Sequence, residues 1–299
     1  MLGLKDTLGA ISFNFSTISA VRLLFAGVYR KSIAQRLPKP LFGKILSSSG
    51  MKAEKVRKLY ENLFYALWHT LSFALVVLTM MKEDWFHSYL ATWDAGHSFY
   101  NFPHSTSRDV ESLYLFELGF WISCLAFLSV ETVRKDSLEM TIHHVTTIGL
   151  IALSHAFGYN RIGLLIMAIH DAGDIFLYAA KFFNYLNFVY LTNALFGLFV
   201  VVFFISRLLV FPSVIFVAWG PITGYVNAFD WREHNGSIIL PSLLVVLQIL
   251  HVMWFYLILR MVVNMFRNDK KQVEGDIRSD EEGTSPEQVV QSEKAKKEE

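Results

Sequence analysis

The chain has 299 residues, of which 53% are hydrophobic, 15% are aromatic and only 18% are charged. Soluble domains carry about a quarter of charged residues, so this composition favours a membrane protein over a soluble domain. The net charge of +1 identifies no class of partner, and we expect no nucleic acid among them. The single cysteine, Cys124, excludes a disulfide framework and a thiolate metal cluster within this sequence.

Seven stretches are apolar enough to cross a membrane, which takes about 20 residues. The first is weak, because Asn14 and Arg22 interrupt it, and the count falls to six if it does not span. The prediction is therefore an all-α, polytopic membrane helix bundle. The predicted spans are residues 8–29, 62–81, 110–130, 140–157, 162–182, 191–210 and 238–263.

Basic residues predict how the bundle is oriented. Residues 30–58 contain nine Lys or Arg and one acidic residue, which places them in the cytosol by the positive-inside rule. Arg134, Lys135 and Lys181 then fall on the same side, and the C-terminus is predicted to be cytosolic. We divide the chain into an N-terminal span with its basic segment (1–53), a transmembrane catalytic domain (54–267) and a tail (268–299).

The tail is rich in Asp, Glu, Lys, Ser and Gln, so it cannot bury a core and is predicted to be disordered. Ser279 precedes three acidic residues, a pattern typical of an acid-directed kinase site. Lys296 and Lys297 resemble the cytosolic dilysine signal of endoplasmic reticulum proteins. We therefore expect a multi-pass protein of that membrane.

One stretch, residues 140–181, combines an apolar sequence with ionisable side chains, which are costly to place in a membrane. A tight turn near Tyr159 predicts that the two spans of this stretch pack antiparallel. A helix rises about 1.5 Å per residue, so residues equally far from the turn lie at the same depth in the membrane. This places His143 and His144 on one span level with Asp171 and Asp174 on the other, in the cytosolic half.

Several kinds of chemistry suit such a cluster. A carboxylate beside an imidazole supports general-base catalysis, and a neutral imidazole can also accept an acyl group. Histidine and carboxylate also suit zinc or non-haem iron, and a proton relay in a transporter uses the same residue types. Taken singly, His69, His155 and His251 are more typical of structural residues.

The order of these residues resembles the ceramide synthase (longevity-assurance) branch of the TLC-domain family. Tyr178 stands where many relatives carry Glu, and we expect it to donate a hydrogen bond to Asp174 instead. The matching pieces are Glu117-Leu118-Gly119-Phe120, His143-His144-Val145-Thr146-Thr147, Ser154, Asn160-Arg161-Ile162-Gly163, His170-Asp171-Ala172-Gly173-Asp174, Lys181 and Ser206-Arg207-Leu208.

The resemblance implies transfer of a fatty acyl group from acyl-coenzyme A to the amine of a sphingoid base. His143 or His144 would be the base or transient acyl carrier, and Asp171 and Asp174 would support it. The other residues given a role are the supporting His170, Thr147, Tyr178 and Arg161, and a basic mouth for coenzyme A formed by Arg134, Lys135 and Lys181.

Partners and alternatives follow from the same resemblance. We expect acyl-coenzyme A as co-substrate, no other cofactor and no metal. Membrane lipid surrounds the protein, and relatives form homo- or heterodimers, some with a small single-span partner. The alternative is a non-catalytic lipid-binding or lipid-sensing protein of the same fold, and a proton-coupled transporter comes third.

Overall fold

A computed structural model of the protein describes residues 53–99, 102, 106–128, 137–223 and 236–267. The described residues are almost wholly helical and include no strand, so the prediction of an all-α membrane helix bundle is confirmed. The predicted first span (8–29), most of the basic segment (30–58) and the tail (268–299) lie outside the described residues.

The helices follow the predicted spans closely. A π-helical segment, Phe204–Val210, joins the α-helices Val189–Phe203 and Phe211–Ala218 into one continuous helical segment. The α-helices, with one 3-10 turn (Ala95–Phe99) between α2 and α3, are α1 (Ala53–Met80), α2 (Asp84–Thr92), α3 (Arg108–Leu128), α4 (Ser137–Ala156), α5 (Asn160–Tyr185), α6 (Val189–Phe203), α7 (Phe211–Ala218), α8 (Gly220–Thr223) and α9 (Gly236–Arg267).

Four helical segments within the described ranges are long and apolar enough to cross a membrane, judged by length and composition. Helices α3 and α4 are not among these segments, although their 21 and 20 residues make about 30 Å, which is long enough to span. The predicted count of seven spans therefore stays a prediction. The four segments are Lys58–Met80, Asn160–Tyr185, Val189–Ala218 and Gly236–Asn264.

Helix α5 is the central element. It packs chiefly against α1 and α6, whereas α4 packs chiefly against α3 and α9. The two helices expected to pack on each other meet closely near their connecting turn and face each other across a cavity over the rest of their length. The predicted antiparallel pair is thus present, and each of its helices makes most of its packing contacts with other neighbours.

The turn between α4 and α5 is held by side chains from the preceding segment. Gly158 has φ of +80°, a left-handed conformation that glycine adopts without steric cost. Asn160 donates from Nδ2 to Thr106 Oγ1 at 2.6 Å, and its carbonyl accepts from the Tyr114 hydroxyl at 3.0 Å. These bonds tie the start of α5 to α3 and so fix one end of the cavity.

Gly163 allows this close approach. A Cβ atom at Gly163 would lie 1.9 Å from the Tyr114 hydroxyl oxygen, far inside van der Waals contact. Tyr114 is only 1% exposed and Gly163 is buried, so neither side has free space into which to move.

We therefore expect Gly163→Ala to destabilise the protein by about 1–3 kcal/mol, the usual cost of overpacking. The measurement is thermal unfolding of the purified protein in detergent. Gly197→Ala on α6 is the matched control, since a Cβ there meets no atom within 4 Å and alanine favours the helix. Adding Tyr114→Phe, which removes the clashing hydroxyl, should restore part of the loss in Gly163→Ala. Equal melting temperatures for the two alanine variants would contradict this account.

Candidate active site

A largely apolar cavity lies between α4 and α5, and α3 and α9 supply most of the rest of its lining, with single residues from the 3-10 turn, α7 and α8. Its lining runs along α4 from His143 to Ser154 and along α5 from Ile162 to Asp174, about 16–18 Å of each helix at 1.5 Å per residue. It holds about 910 Å³ of space between atoms, its opening included. Polar residues gather at the end that the sequence assigns to the cytosolic half, namely Glu117, His143, Thr147, His170, Asp171 and Asp174.

His143 and Thr147 are one helical turn apart on α4 and both line this polar end. In the described part of the chain, the buried His143 Nδ1 and Thr147 Oγ1 atoms have no hydrogen-bond partner. Buried polar atoms are normally paired, because an unmade hydrogen bond costs about 1–3 kcal/mol. These two atoms are therefore suited to bind polar atoms of a ligand.

His144 has a different environment from its neighbour. Its Nδ1 donates to the backbone carbonyl of Met140, and its ring lies against Trp121 and His143 at centroid distances of 5.5 and 5.6 Å. Because Nδ1 carries the proton of the neutral ring, Nε2 is the basic nitrogen. His144 is buried but does not line the cavity.

Asp171 is held from the side of α1. Its Oδ1 lies 2.8 Å from His69 Nδ1, and its Oδ2 lies 2.5 Å from the Ser72 hydroxyl oxygen. The His69 ring stacks on Tyr178 with a centroid distance of 5.4 Å and an interplanar angle of 3°. The carboxylate of Asp171 is thus fixed in place while remaining part of the cavity wall.

Asp174 is held by Arg207. The guanidinium Nη2 donates to Asp174 Oδ1 at 2.8 Å and to the carbonyl of His170 at 2.9 Å, and Arg207 is only 5% exposed. Arg207 lies in the π-helical segment, where the wider turn is typical of functional sites. Pro212 in the first turn of α7 has no N–H for the usual bond to residue 208, which explains the irregular helix at this point.

His170 completes the polar end. Its Nδ1 donates to the Ile166 carbonyl at 2.7 Å, and its Nε2 lies 3.2 Å from Nε2 of His251. When both rings are neutral, His170 Nε2 must accept and His251 Nε2 must donate. This pairing sets the tautomer of both rings.

The structure brings three of the four predicted catalytic residues to one cavity and gives the aspartates other hydrogen-bond partners. His143, Asp171 and Asp174 do line one cavity, but the hydrogen bonds of the two aspartates go to His69, Ser72 and Arg207 rather than to the paired histidines. The reason is packing: α1 and the π-helical segment lie directly against α5, whereas α4 lies across the cavity.

The remaining predicted residues lie away from this cluster. Arg161 pairs with Glu83 at 3.4 Å near the connecting turn, at the other end of α5. Lys181 Nζ lies 5.8 Å from the centroid of the Tyr178 ring, and that ring stacks on Tyr65 and His69. Asp174 accepts a hydrogen bond from Arg207, and the bond expected from Tyr178 stays a prediction. The residues outside the described part of the chain are Arg134, Lys135 and Ser279.

Sequence reasoning gave no role to several residues that shape the site. Glu117 and Arg207 belong to motif pieces in the resemblance and are charges in apolar runs, so a signal for them was present. His69 and His251 are ionisable residues in spans, a weaker signal, and Ser72 gave none. In the described ranges, no three His, Cys, Asp or Glu side chains come together as a metal site would require.

Comparison with known proteins identifies the family. The family model described as TLC domain matches residues 58–260. Ceramide synthase 4 of Bos taurus is 35% identical over 227 residues, covering 76% of this chain and 55% of that protein. Ceramide synthase 4 of Homo sapiens is 34% identical over 241 residues, covering 80% and 58% of the two chains.

A plant protein is similar over a larger share of its own length. Ceramide synthase LOH2 of Arabidopsis thaliana is 32% identical over 233 residues, covering 76% of this chain and 76% of that protein. The chain spans little more than half the length of the mammalian relatives that it matches. The matched region includes every helix that forms the cavity, and the chain belongs to the TLC domain family.

Proposed function

We propose that this protein is a ceramide synthase, an N-acyltransferase that moves a fatty acyl group from acyl-coenzyme A to the amine of a sphingoid base. The observation that carries the proposal is the cavity, which joins a cluster of His and Asp residues to a long apolar wall. The proposal is also supported by sequence similarity, because most of the chain is similar to proteins named ceramide synthases.

The shape of the cavity suits these substrates. Fatty acyl groups and sphingoid bases both consist of a long apolar tail and a polar head, and mostly apolar pockets with a few polar groups bind such molecules. In our proposal the tail lies along the apolar wall between α4 and α5, toward the Tyr159 turn. The amine and the thioester carbonyl then meet beside His143 and Thr147.

His143 is the residue that we assign as the working imidazole, because it lines the cavity and its Nδ1 is unpaired among the described atoms. It acts as a base toward the amine or as a transient acyl carrier. In the first case the ammonium loses a proton, the amine attacks the thioester carbonyl carbon, and the C–S bond breaks. When the amide forms, the nitrogen loses a second proton, which the coenzyme A thiolate takes up. The first proton, taken from the ammonium, is released to solvent once per turnover.

The aspartates supply negative charge for this reaction. Asp171 lies on the cavity wall, where it attracts the cationic amine and stabilises an imidazolium across the cavity. Asp174 forms an ion pair with Arg207. Its negative charge offsets the guanidinium charge, which would otherwise repel the cationic amine and the imidazolium. His144, whose Nδ1 is bound to Met140, supports the position of its neighbour in this proposal.

The cellular setting is part of the proposal. Coenzyme A is polyanionic, and Lys181, Arg134, Lys135 and the basic residues of 30–58 would attract it at a cytosolic mouth. The dilysine-like end of the tail supports residence in the endoplasmic reticulum with a cytosolic C-terminus. A homo- or heterodimer, with or without a small single-span subunit, is the assembly we propose. The division at residues 53 and 267 and the phosphorylation of Ser279 remain predictions.

We expect the purified full chain in lipid nanodiscs to form ceramide from a sphingoid base and acyl-coenzyme A, in the presence of a chelator and without added metal. Product would be measured by mass spectrometry with acyl chains of several lengths and with both sphinganine and phytosphingosine. Binding of the sphingoid base without product would overturn the enzyme assignment in favour of a lipid-binding protein. Proton-dependent lipid movement without product would favour a transporter.

His143→Ala, His144→Ala and Asp174→Asn are expected to lower the rate by roughly 100-fold or more, because each removes a proton-transfer or charge contribution of about that size. For the two histidine variants the amount of folded protein, measured by size-exclusion chromatography, should stay close to that of the wild type. Asp174→Asn leaves the buried Arg207 without its counter-charge, so its rate is to be normalised to the amount of folded protein. His87→Ala, on the exposed face of α2, is the control and should retain full activity. Retained activity in the His143→Ala/His144→Ala double variant would contradict the assignment.

The Arg207–Asp174 pair gives a separate prediction. Arg207→Met leaves the Asp174 carboxylate buried without a counter-charge, which typically costs about 3–5 kcal/mol of stability. Asp174→Asn in the same chain removes that charge and should restore part of the loss. Melting temperatures of the single and double variants form a thermodynamic cycle that measures the coupling. Arg260→Met, at an exposed position of α9, is the control, and additive effects of the paired variants would contradict the coupling.

A further inference from the structure

Four buried side chains from three helices form one hydrogen-bonded group, which we call the carboxyl array. It consists of His69 and Ser72 on α1, Glu117 on α3 and Asp171 on α5, all between 0% and 4% exposed. The Ser72 hydroxyl oxygen lies 2.5 Å from Glu117 Oε1 and 2.5 Å from Asp171 Oδ2. The mechanism proposed above uses Asp171 but gives no role to Glu117.

Counting hydrogens shows that the array holds an extra proton. A serine hydroxyl has one hydrogen, and an ionised carboxylate can only accept. Ser72 can therefore donate to one of its two carboxyl neighbours, and the other must donate to Ser72. One of the two carboxyl groups is consequently a carboxylic acid.

The proton belongs on Glu117. Asp171 accepts a second hydrogen bond from His69, which favours the ionised form of Asp171, because hydrogen bonds to a carboxylate stabilise its charge. Glu117 is 2% exposed and sits beside that charge. Burial and a neighbouring carboxylate both favour its neutral form.

The other ionisable groups around the carboxyl array have partners outside it. Arg207 in the π-helical segment binds Asp174, and His170 and His251 bind each other. On α4 the facing groups are His143 and His144, which contact each other and Trp121. Among the described residues, no Lys or Arg pairs with Glu117, so its neutral form avoids a second buried negative charge beside Asp171.

We propose that Glu117 is a carboxylic acid that positions the Asp171 carboxylate at the cavity wall through the Ser72 hydroxyl. Glu117 donates to Ser72, and Ser72 donates to Asp171, so the bonds run in one direction. This direction of the hydrogen bonds holds the Asp171 carboxylate where it can attract the cationic amine. In that respect the inference rests on the proposed function. Loss of the Glu117 proton at high pH would put two carboxylates on one hydroxyl and weaken the hold on Asp171.

Infrared spectroscopy tests the protonation directly. The purified full chain at neutral pH should show the carbonyl stretching band of a buried carboxylic acid, which shifts on exchange into deuterated water. The band should disappear in Glu117→Gln and remain in Glu111→Gln, which makes the same chemical change two turns earlier on α3. A wild-type spectrum without such a band would overturn the proposal, whatever the activity of the protein, and this measurement separates the proposal from the ceramide synthase assignment.

The pH profile tests the positioning role. Glutamine stays neutral and can donate to Ser72, so Glu117→Gln should keep at least 10-fold more of the rate than Glu117→Leu, which has no donor. The fall in rate at high pH should move to higher pH in Glu117→Gln, since the amide has no proton to lose, and should stay in place in Glu111→Gln. An unchanged alkaline limb in Glu117→Gln, or equal rates for the Gln and Leu variants, would overturn the positioning role.

Discussion

An ionised side chain inside an apolar helix bundle needs a partner, because its desolvation costs several kcal/mol unless an opposite charge or several hydrogen bonds compensate. In this protein the constraint is met most directly by Arg207, whose guanidinium binds Asp174 and the His170 carbonyl. One contact thereby neutralises a carboxylate, satisfies a main-chain carbonyl and attaches the π-helical segment to α5. The polar end of the cavity depends on it, since both bonded residues line that end.

Helix α5 serves two purposes with different faces. One face supplies His170, Asp171 and Asp174 to the cavity wall, and the rest of the helix packs against α1 and α6. The bonds to the aspartates come from His69 on α1 and from Arg207 in the π-helical segment after α6, so the charged residues are fixed from behind and their positions do not depend on a ligand. Such preorganised charge is effective in catalysis, because the site need not reorganise when charge develops.

The sequence predicted the helices and their polar residues well, and it predicted the partners of those residues poorly. Six of the predicted spans lie near described helices, and the cost of a buried charge singles out Asp171 and Asp174. Rise per residue gives depth along a helix, but it gives no information on which neighbouring helix lies against which face. His69 and Ser72 reach Asp171 because α1 packs on α5, a contact between residues about 100 positions apart that no local pattern contains.

The separation of α4 from α5 links the fold to the proposed chemistry. At the turn, Gly163 allows the Tyr114 hydroxyl to reach the Asn160 carbonyl, and the helices are close. Farther along, α4 follows α3 and α9 while α5 follows α1 and α6, so the gap between them becomes the cavity. Had the paired histidines bonded directly to the aspartates, those bonds would have closed this space. Holding each aspartate from behind leaves the imidazole of His143 and the carboxylate of Asp171 on the wall of one cavity, where the proposed reaction needs both.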